Sequence, residues 1–332
     1  MREYHRLTGK VSPVDEASER QAFADAVRYY LSLQPRQLPS RYFYDALGSA
    51  LFEAICLLPW YSVTRAETRL IGRHAREIVR HLDPLSTVIE LGPGSGEKLA
   101  LLVESGRARP TPLAVHLVDV SPTALESAAQ VLSRLDATTV FTHQTHYEGG
   151  LAQIASGPRV PGRALVLFLG SNIGNFDPPG AAAFLGGIRS SLMHKDALLI
   201  GTDLVKSERE LVLAYDDPLG VTAAFNRNLL VRLNRDLDGD FDLDAFSHRA
   251  LWNPDASRME MHLVSRRRQR VNIQAAGLAF ALEEGESIWT ESSYKYLPET
   301  VHEMLERAGF VVVEQWLDDE HGFALTLASR ST

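Results

Sequence analysis

Cysteine is almost missing: Cys56 is the single one in 332 residues. No disulfide can close within the chain, a cysteine-based zinc cluster is excluded, and a reducing cytoplasmic compartment is the expected home. Long apolar runs are missing too. Nothing approaches the ~20 consecutive apolar residues of a membrane span, and the opening MREYHRLTGK has no apolar signal core, so no membrane partner is expected. Positive charge is in deficit: the net charge of −8 argues against a nucleic-acid backbone as the main partner. The short run Arg266-Arg267-Arg268 reads as a solvated surface. Repeats and low-complexity tracts are also absent. What remains, 45% hydrophobic and 23% charged, is the composition of a globular chain long enough for one large domain or two ordinary ones.

The most informative stretch is Thr87–Leu102, TVIELGPGSGEKLALL. A β-branched apolar run of buried-strand type stops at Gly92-Pro93-Gly94-Ser95-Gly96, and a helix-like segment starts near Glu97. Strand, glycine turn and helix N-terminus make a cradle that lets backbone approach a ligand closely. The glycines run G-x-G-x-G and Glu90 stands two positions before the first. No pyrophosphate has to be cradled, so the methyl-donor nucleotide S-adenosylmethionine is favoured over a dinucleotide; a bare tight turn is the bland alternative. A second apolar strand, Ala114–Val120, carries Asp119, 23 positions after Gly96. A carboxylate there can accept both ribose hydroxyls. It can equally serve the start of the next helix at Ser121-Pro122, and both readings can hold.

Along the chain, residues 1–20 are polar and expected to be loosely held. Helices are expected at Gln21–Leu33, Leu51–Leu58 and Arg65–Leu82, with a tyrosine-rich arm between them. From Thr87 strands and helices alternate: Pro122–Leu135 as helix, Thr138–Thr142 and Arg163–Leu169 as third and fourth strands, Ala181–Met193 as helix, Ala197–Gly201 as fifth strand. Gly92–Gly96, Asp119, Asn175 and Asp203 would then face one crevice at the carboxyl ends of the strands. Glu208–Asp216 and Gly220–Leu233 read as helices, and Arg258–Leu263, Arg270–Gln274 and Ala279–Leu282 as strands of a separate sheet. Pro298–Ala308 is an amphipathic helix before a closing hairpin, Phe310–Trp316 and Phe323–Ala328. The expected fold is α/β: a Rossmann-like class I methyltransferase sheet with a closing antiparallel hairpin, over 66–204 and 296–332. An inserted α+β substrate-binding domain would comprise 14–65 and 205–295 as a lid.

Several blocks resemble the histidine-specific methyltransferase family of ergothioneine biosynthesis: Tyr42-Phe43-Tyr44-Asp45-Ala46-Leu47-Gly48-Ser49, Leu169-Gly170-Ser171-Asn172-Ile173-Gly174-Asn175, Gly201-Thr202-Asp203-Leu204-Val205-Lys206, Ala214-Tyr215-Asp216-Asp217 and Val221–Asn228. The resemblance implies that Tyr44, Asn175 and Tyr215 hold the α-amino and α-carboxylate groups of an amino acid, with Tyr44 and Asn175 as the catalytic pair. Tyr61 would line the pocket, and Met261, Glu291 and Ser293 would choose the side chain. Glu291 and Ser293 alternate as residues on one strand face do, so both could reach an imidazole, and a carboxylate facing a ring N–H would select it; a solvent-facing strand-edge Glu is the bland reading. The cofactor set is Glu90, Gly92, Gly94, Gly96, Lys98, Asp119, Thr145 and His146. The family has an acidic–aromatic pair after the third strand where this chain reads His143-Gln144-Thr145-His146-Tyr147, so the adenine contacts fall to Thr145 or His146. Without a carboxylate or cysteine beside His143 and His146, no metal is expected.

The resemblance implies transfer of methyl from S-adenosylmethionine to the α-amino nitrogen of L-histidine and of its mono- and dimethyl forms, ending at trimethylhistidine (hercynine), by a monomer. Three alternatives are weighed against it. A methyltransferase for tryptophan or an imidazole analogue would suit an apolar or bulky residue at 261 or 291. A non-catalytic donor-binding protein would have lost Asp119, Asn175 or the glycines. A dinucleotide oxidoreductase is disfavoured by the glycine spacing and the closing hairpin.

Overall fold

The computed structural model describes residues 16–108 and 110–331, which separate into two compact units. One comprises Val63–Val205 and the chain from Lys295; the other comprises the residues up to Ser62 and Lys206–Tyr294. The changeovers at 62/63, 205/206 and 294/295 compare with 65/66, 204/205 and 295/296 expected from the sequence.

The second unit opens with α1 (Glu16–Ser32), β1 (Arg36–Gln37) and α2 (Ala46–Cys56), the last capped by the Asp45 side chain on the Gly48 N–H. Residues 1–15 lie outside the described chain; 16–20, expected to be loose, form the first turn of α1. The first unit starts at α3 (Val63–His81), whose apolar stripe at Val63, Ala66, Leu70, Ile71 and Ile78 is buried. Then follow β2 (Leu85–Leu91), α4 (Glu97–Gly106), β3 (Leu113–Asp119), α5 (Pro122–Leu132), β4 (Thr138–Gln144), α6 (Tyr147–Ser156), β5 (Arg163–Phe168), α7 (Pro178–Ser191) and β6 (Ala197–Asp203). Helix α6 was not anticipated, because Gly149-Gly150 lowers helix propensity. Gly150 has a packing reason: a Cβ there would lie 2.4 Å from the Val118 side chain.

The chain then enters the second unit for α8 (Glu208–Tyr215), α9 (Val221–Leu237), β7 (Phe246–Asn253), β8 (Arg258–Ser265), β9 (Gln269–Ile273), β10 (Leu278–Leu282) and β11 (Ser287–Tyr294). It returns as α10 (Pro298–Arg307), β12 (Phe310–Asp318) and β13 (Phe323–Arg330).

The first unit's seven-stranded sheet has the order β12-β13-β6-β5-β2-β3-β4, parallel from β6 to β4, with β13 antiparallel to both β6 and β12. Strands β2, β5 and β6 are buried almost throughout, as the inner strands of a doubly covered parallel sheet must be. One face packs Leu91, Val118, Phe168 and Ile200 against Phe184 and Ile188 of α7 and Val301 and Leu305 of α10. Strand order reverses between β2 and β5, so the ligand crevice of such a sheet lies beyond their carboxyl ends.

In the second unit β7, β8 and β11 form an antiparallel sheet with β1 parallel to β11 at its edge. The sequence reading grouped β8, β9 and β10 in one sheet. Here β9 and β10 pair with each other, and the neighbours of β8 are β7 and β11. Strand β7, FSHRALWN, mixes polar and apolar residues without strict alternation, which hid it.

Candidate active site

The glycine turn after β2 is built as the spacing requires. Gly92, Gly94 and Gly96 have φ of 74°, 53° and 77°, the left-handed region that favours glycine. A Cβ on Gly96 would sit 2.8 Å from the Ala128 Cα, and one on Gly92 would sit 2.9 Å from the Tyr147 hydroxyl, whereas one on Gly94 would meet nothing within 4 Å. Gly92 and Gly96 are therefore glycines for packing, and Gly94 faces open space above the loop.

Glu90 is 1% exposed, and its Oε2 is buried without a hydrogen-bond partner. Burial pushes its carboxyl up to about 8; Lys98 pulls it down, while Glu67 and Asp119 push it further up. Lys98 Nζ lies 2.5 Å from Glu67 Oε2, so it is first the counter-ion of that fully buried carboxylate. Glu67 also accepts the Gly170 N–H at 2.9 Å, tying α3 to the loop after β5.

Asp119, at the end of β3, accepts the Ser121 N–H at 2.8 Å, and Ser121 caps α5. Burial raises its carboxyl, against the N–H groups of Ser121 and Val120. Thr145 is half-buried and donates its N–H to the Asp119 carbonyl at 3.1 Å, whereas His146 is exposed at the start of α6. Tyr147 was not anticipated. Burial, then the charges of Asp119 and Glu148, push its hydroxyl pKa upward, so it remains a neutral donor beside Gly92.

The family's donor fits these residues. A partnerless buried carboxylate oxygen beneath an open glycine loop suits a ligand that brings its own donors, and adenosylmethionine has both an ammonium and ribose hydroxyls. Asn175 ends the helical turn Asn172–Asn175 after β5 and is half-buried. The Asn172 amide lies 3.5 Å from where a Gly92 Cβ would be, so this turn sits against the glycine loop. Asp203, the last residue of β6, forms a buried ion pair: Lys295 Nζ lies 2.9 Å from its Oδ2.

In the second unit, the β8–β11 register pairs Met261 with Glu291 and Met259 with Ser293, so these four side chains share one face. A bulge between Trp289 and Glu291 sets that arrangement. In a regular ladder without the bulge, Thr290 and Ser292 would have taken this face in place of Glu291 and Ser293. The Tyr215 hydroxyl donates to Ser293 Oγ at 2.8 Å, and both residues are buried, while Glu291 is half-buried beside Met261, itself 2% exposed. Tyr44 and Tyr61 belong to an aromatic cluster: the Phe52 ring lies edge-on to both, at 5.6 and 6.2 Å, and Phe225 lies 5.8 Å from Tyr44.

Thus Tyr215, Met261, Glu291 and Ser293 come together, Tyr44 and Tyr61 share an aromatic cluster, and Glu90, the glycines, Asp119 and Thr145 surround one loop. The sequence reading missed Glu67, Tyr147, Asn226 and Thr290. Glu67 left a trace, a charged residue inside the apolar stripe of α3. His143 Nε2 faces His116 Nδ1 at 3.0 Å. Among the described residues, Glu77, His81 and Glu314 bring ligand-type atoms within 4.8 Å of one another, at the end of α3 that leads into β2 and away from the glycine loop.

Residues 23–330 match the family model described as histidine-specific methyltransferase, SAM-dependent. Histidine N-alpha-methyltransferase of Mycolicibacterium smegmatis is 41% identical over 317 residues, covering 95% of this chain and 97% of that protein. The protein of the same name from Mycobacterium tuberculosis is 40% identical over 304 residues, covering 91% and 93%. Ergothioneine biosynthesis protein 1 of Neurospora crassa is 29% identical over 89% of this chain, which spans 34% of that protein. With the model spanning nearly the whole chain, this protein belongs to the histidine-specific, S-adenosylmethionine-dependent methyltransferase family.

Proposed function

We propose that this enzyme transfers methyl groups from S-adenosylmethionine to the α-amino nitrogen of L-histidine, giving Nα,Nα,Nα-trimethylhistidine, a step toward ergothioneine. The observation that carries the side-chain choice is the shared face of Glu291, Met261 and Ser293. A carboxylate and a hydroxyl on an apolar ground suit a flat ring with two polar nitrogens, and suit an indole less well, since it offers one N–H and no acceptor.

Tyr44, Asn175 and Tyr215 are assigned to the α-amino and α-carboxylate groups, with Tyr61 lining the pocket. The donor, when bound, supplies an activated methyl on a sulfonium, so the protein has chiefly to align the nitrogen and exclude water. The α-amino group of a free amino acid is largely protonated at cellular pH, so its neutral minority form is the nucleophile, and the proton it sheds leaves to solvent before the methyl is transferred. The Asn175 side-chain carbonyl accepts one amine hydrogen and so aims the lone pair. The tyrosine faces tolerate the growing positive charge through cation–π attraction. Glu90, Gly92, Gly94, Gly96, Asp119 and Thr145 hold the donor, Lys98 tunes Glu90, and His146 stands at the rim. Small molecules are the partners in this reading. We take the working form to be a cytoplasmic monomer without a nucleic-acid role; among the described residues no helix is long and apolar enough to cross a membrane.

Calorimetric titration of each common amino acid with S-adenosylhomocysteine present, followed by mass spectrometry with the live donor, tests the reading. Histidine should bind and gain one, two and three methyls. Glu291→Ala should lower the preference for histidine about 10–100-fold, the worth of a charge-assisted hydrogen bond, and leave donor affinity unchanged. Equal losses of donor and histidine binding would sink the Glu291 assignment.

A further inference from the structure

Asn226, on α9, is fully buried and its amide is engaged at both ends. Its Oδ1 accepts the Thr290 hydroxyl at 2.7 Å; its Nδ2 donates to the His262 carbonyl at 3.1 Å and lies 2.9 Å from His248 Nδ1. The His262 carbonyl fixes the amide orientation, because a flipped amide would set two oxygens against each other. His248 Nδ1 must then accept, which leaves Nε2–H to donate to the Tyr215 carbonyl at 2.8 Å. One buried amide thereby links the bulge residue Thr290, the β8 backbone beside Met261, and the end of α8 that carries Tyr215.

Thr290 is itself 1% exposed, with its hydroxyl also 3.0 Å from the Met261 carbonyl. The bulge at Thr290 puts Glu291 and Ser293 on the face of Met261 and Met259, and Tyr215 completes that face through its bond to Ser293. If a strand loses a bulge its register slips by one residue, and the slip sends the following side chains to the other face. Something has to pin the bulge.

We propose that Asn226 and Thr290 are positioning residues for substrate choice: Asn226 locks the bulge at Thr290 and, through His248, the backbone of Tyr215, so that Glu291, Ser293 and Tyr215 meet one ligand ring in fixed register. This rests on the assignment of Glu291 and Ser293 to the acceptor side chain. Neither positioning residue needs to touch the ligand. Buried polar groups satisfied on every side specify one arrangement among near-equal packings, which is the service required here.

Thr290→Val removes the hydroxyl at nearly constant volume, and Thr290→Ser keeps it. The ratio of kcat/KM for histidine over tryptophan is measured for both, for Asn226→Ala and for Glu291→Ala, together with calorimetric affinity for S-adenosylhomocysteine. Thr290→Val and Asn226→Ala are expected to lower the ratio about tenfold, the worth of one buried hydrogen bond, with donor affinity unchanged, and Thr290→Ser to restore it. On a Glu291→Ala background, Thr290→Val should lower the ratio no further, because the group it aims is gone. A ratio held by Thr290→Val while Glu291→Ala loses it would overturn the proposal and leave the pocket assignment standing. If Glu291→Ala keeps the ratio, the pocket assignment itself has failed.

Discussion

Glu90 is the residue whose environment makes the sharpest demand. An ordinary glutamate titrates near 4.5, and this one is pushed up to about 8 by burial. Folding therefore takes up a proton between those values: the stability this group lends is full below about 4.5 and is lost as pH rises through about 8. Glu90→Gln, which cannot ionise, should flatten the dependence of unfolding free energy on pH between 5 and 9 and be the more stable form at the alkaline end, by several kcal/mol. Urea titrations at pH 6 and pH 9 measure it, and identical pH slopes for both proteins would refute it. A cationic donor should lower the Glu90 pKa and release its proton, so binding heats at pH 7 should vary with the buffer's ionisation enthalpy in the parent and not in Glu90→Gln. Part of this could be read from the chain. Glu90 two positions before Gly92 marks it as a ligand-facing candidate, but Lys98 and Glu67, which tune it, reach it from α4 and α3.

Helix α9 shows how an element is set in place from outside its own span. Its N-cap, Gly220, offers no side chain, and Asp217 does that work instead, accepting N–H groups from Thr222 at 2.7 Å, Leu219 at 3.0 Å and Val221 at 3.2 Å. Burial opposes the charge on Asp217, yet these donors outweigh it and hold the carboxyl below its usual range. Asp217→Ala should cost about 1–2 kcal/mol in urea unfolding, the scale of a lost cap. The KM for histidine should rise as well, because Asn226 lies in the second turn of α9. A KM equal to the parent's would separate the cap from the pocket. The helix itself was legible from apolar spacing. Strand β7 was not, and neither was the true neighbour of β8, because strand pairing depends on residues far apart in sequence that propensity does not connect.

Over the length of the chain, the notable feature is an excursion whose two ends meet. After β6 the chain leaves the first unit at Val205 and re-enters at Lys295. There the Tyr296 N–H donates to the Asp203 carbonyl at 3.1 Å, and the Val205 N–H to the Tyr296 carbonyl at 2.9 Å. Beside this seam the Lys295–Asp203 pair is buried, at 1% and 3% side-chain exposure. Removing one partner strands a charge in the interior, so Lys295→Met should cost about 3–5 kcal/mol. The paired change Lys295→Met with Asp203→Asn should recover much of that in the same urea titration. If the double variant is no better than the single, the loss came from packing and not from the stranded carboxylate.

Local pattern along the chain settled a good deal: the alternating α/β order, the G-x-G-x-G loop with Glu90 before it, Asp119 at the second strand's end, and the closing hairpin. These depend on side-chain period, turn chemistry and spacing, all of which act over a few residues. Folding in three dimensions settled the rest. It drew Asp203 onto Lys295, set Lys98 on Glu67, split the expected second sheet, and used a bulge at Thr290 to aim Glu291 and Ser293. These outcomes rest on hydrogen bonds, charge pairing or packing between residues up to about ninety positions apart, and burial is what gives those contacts their weight.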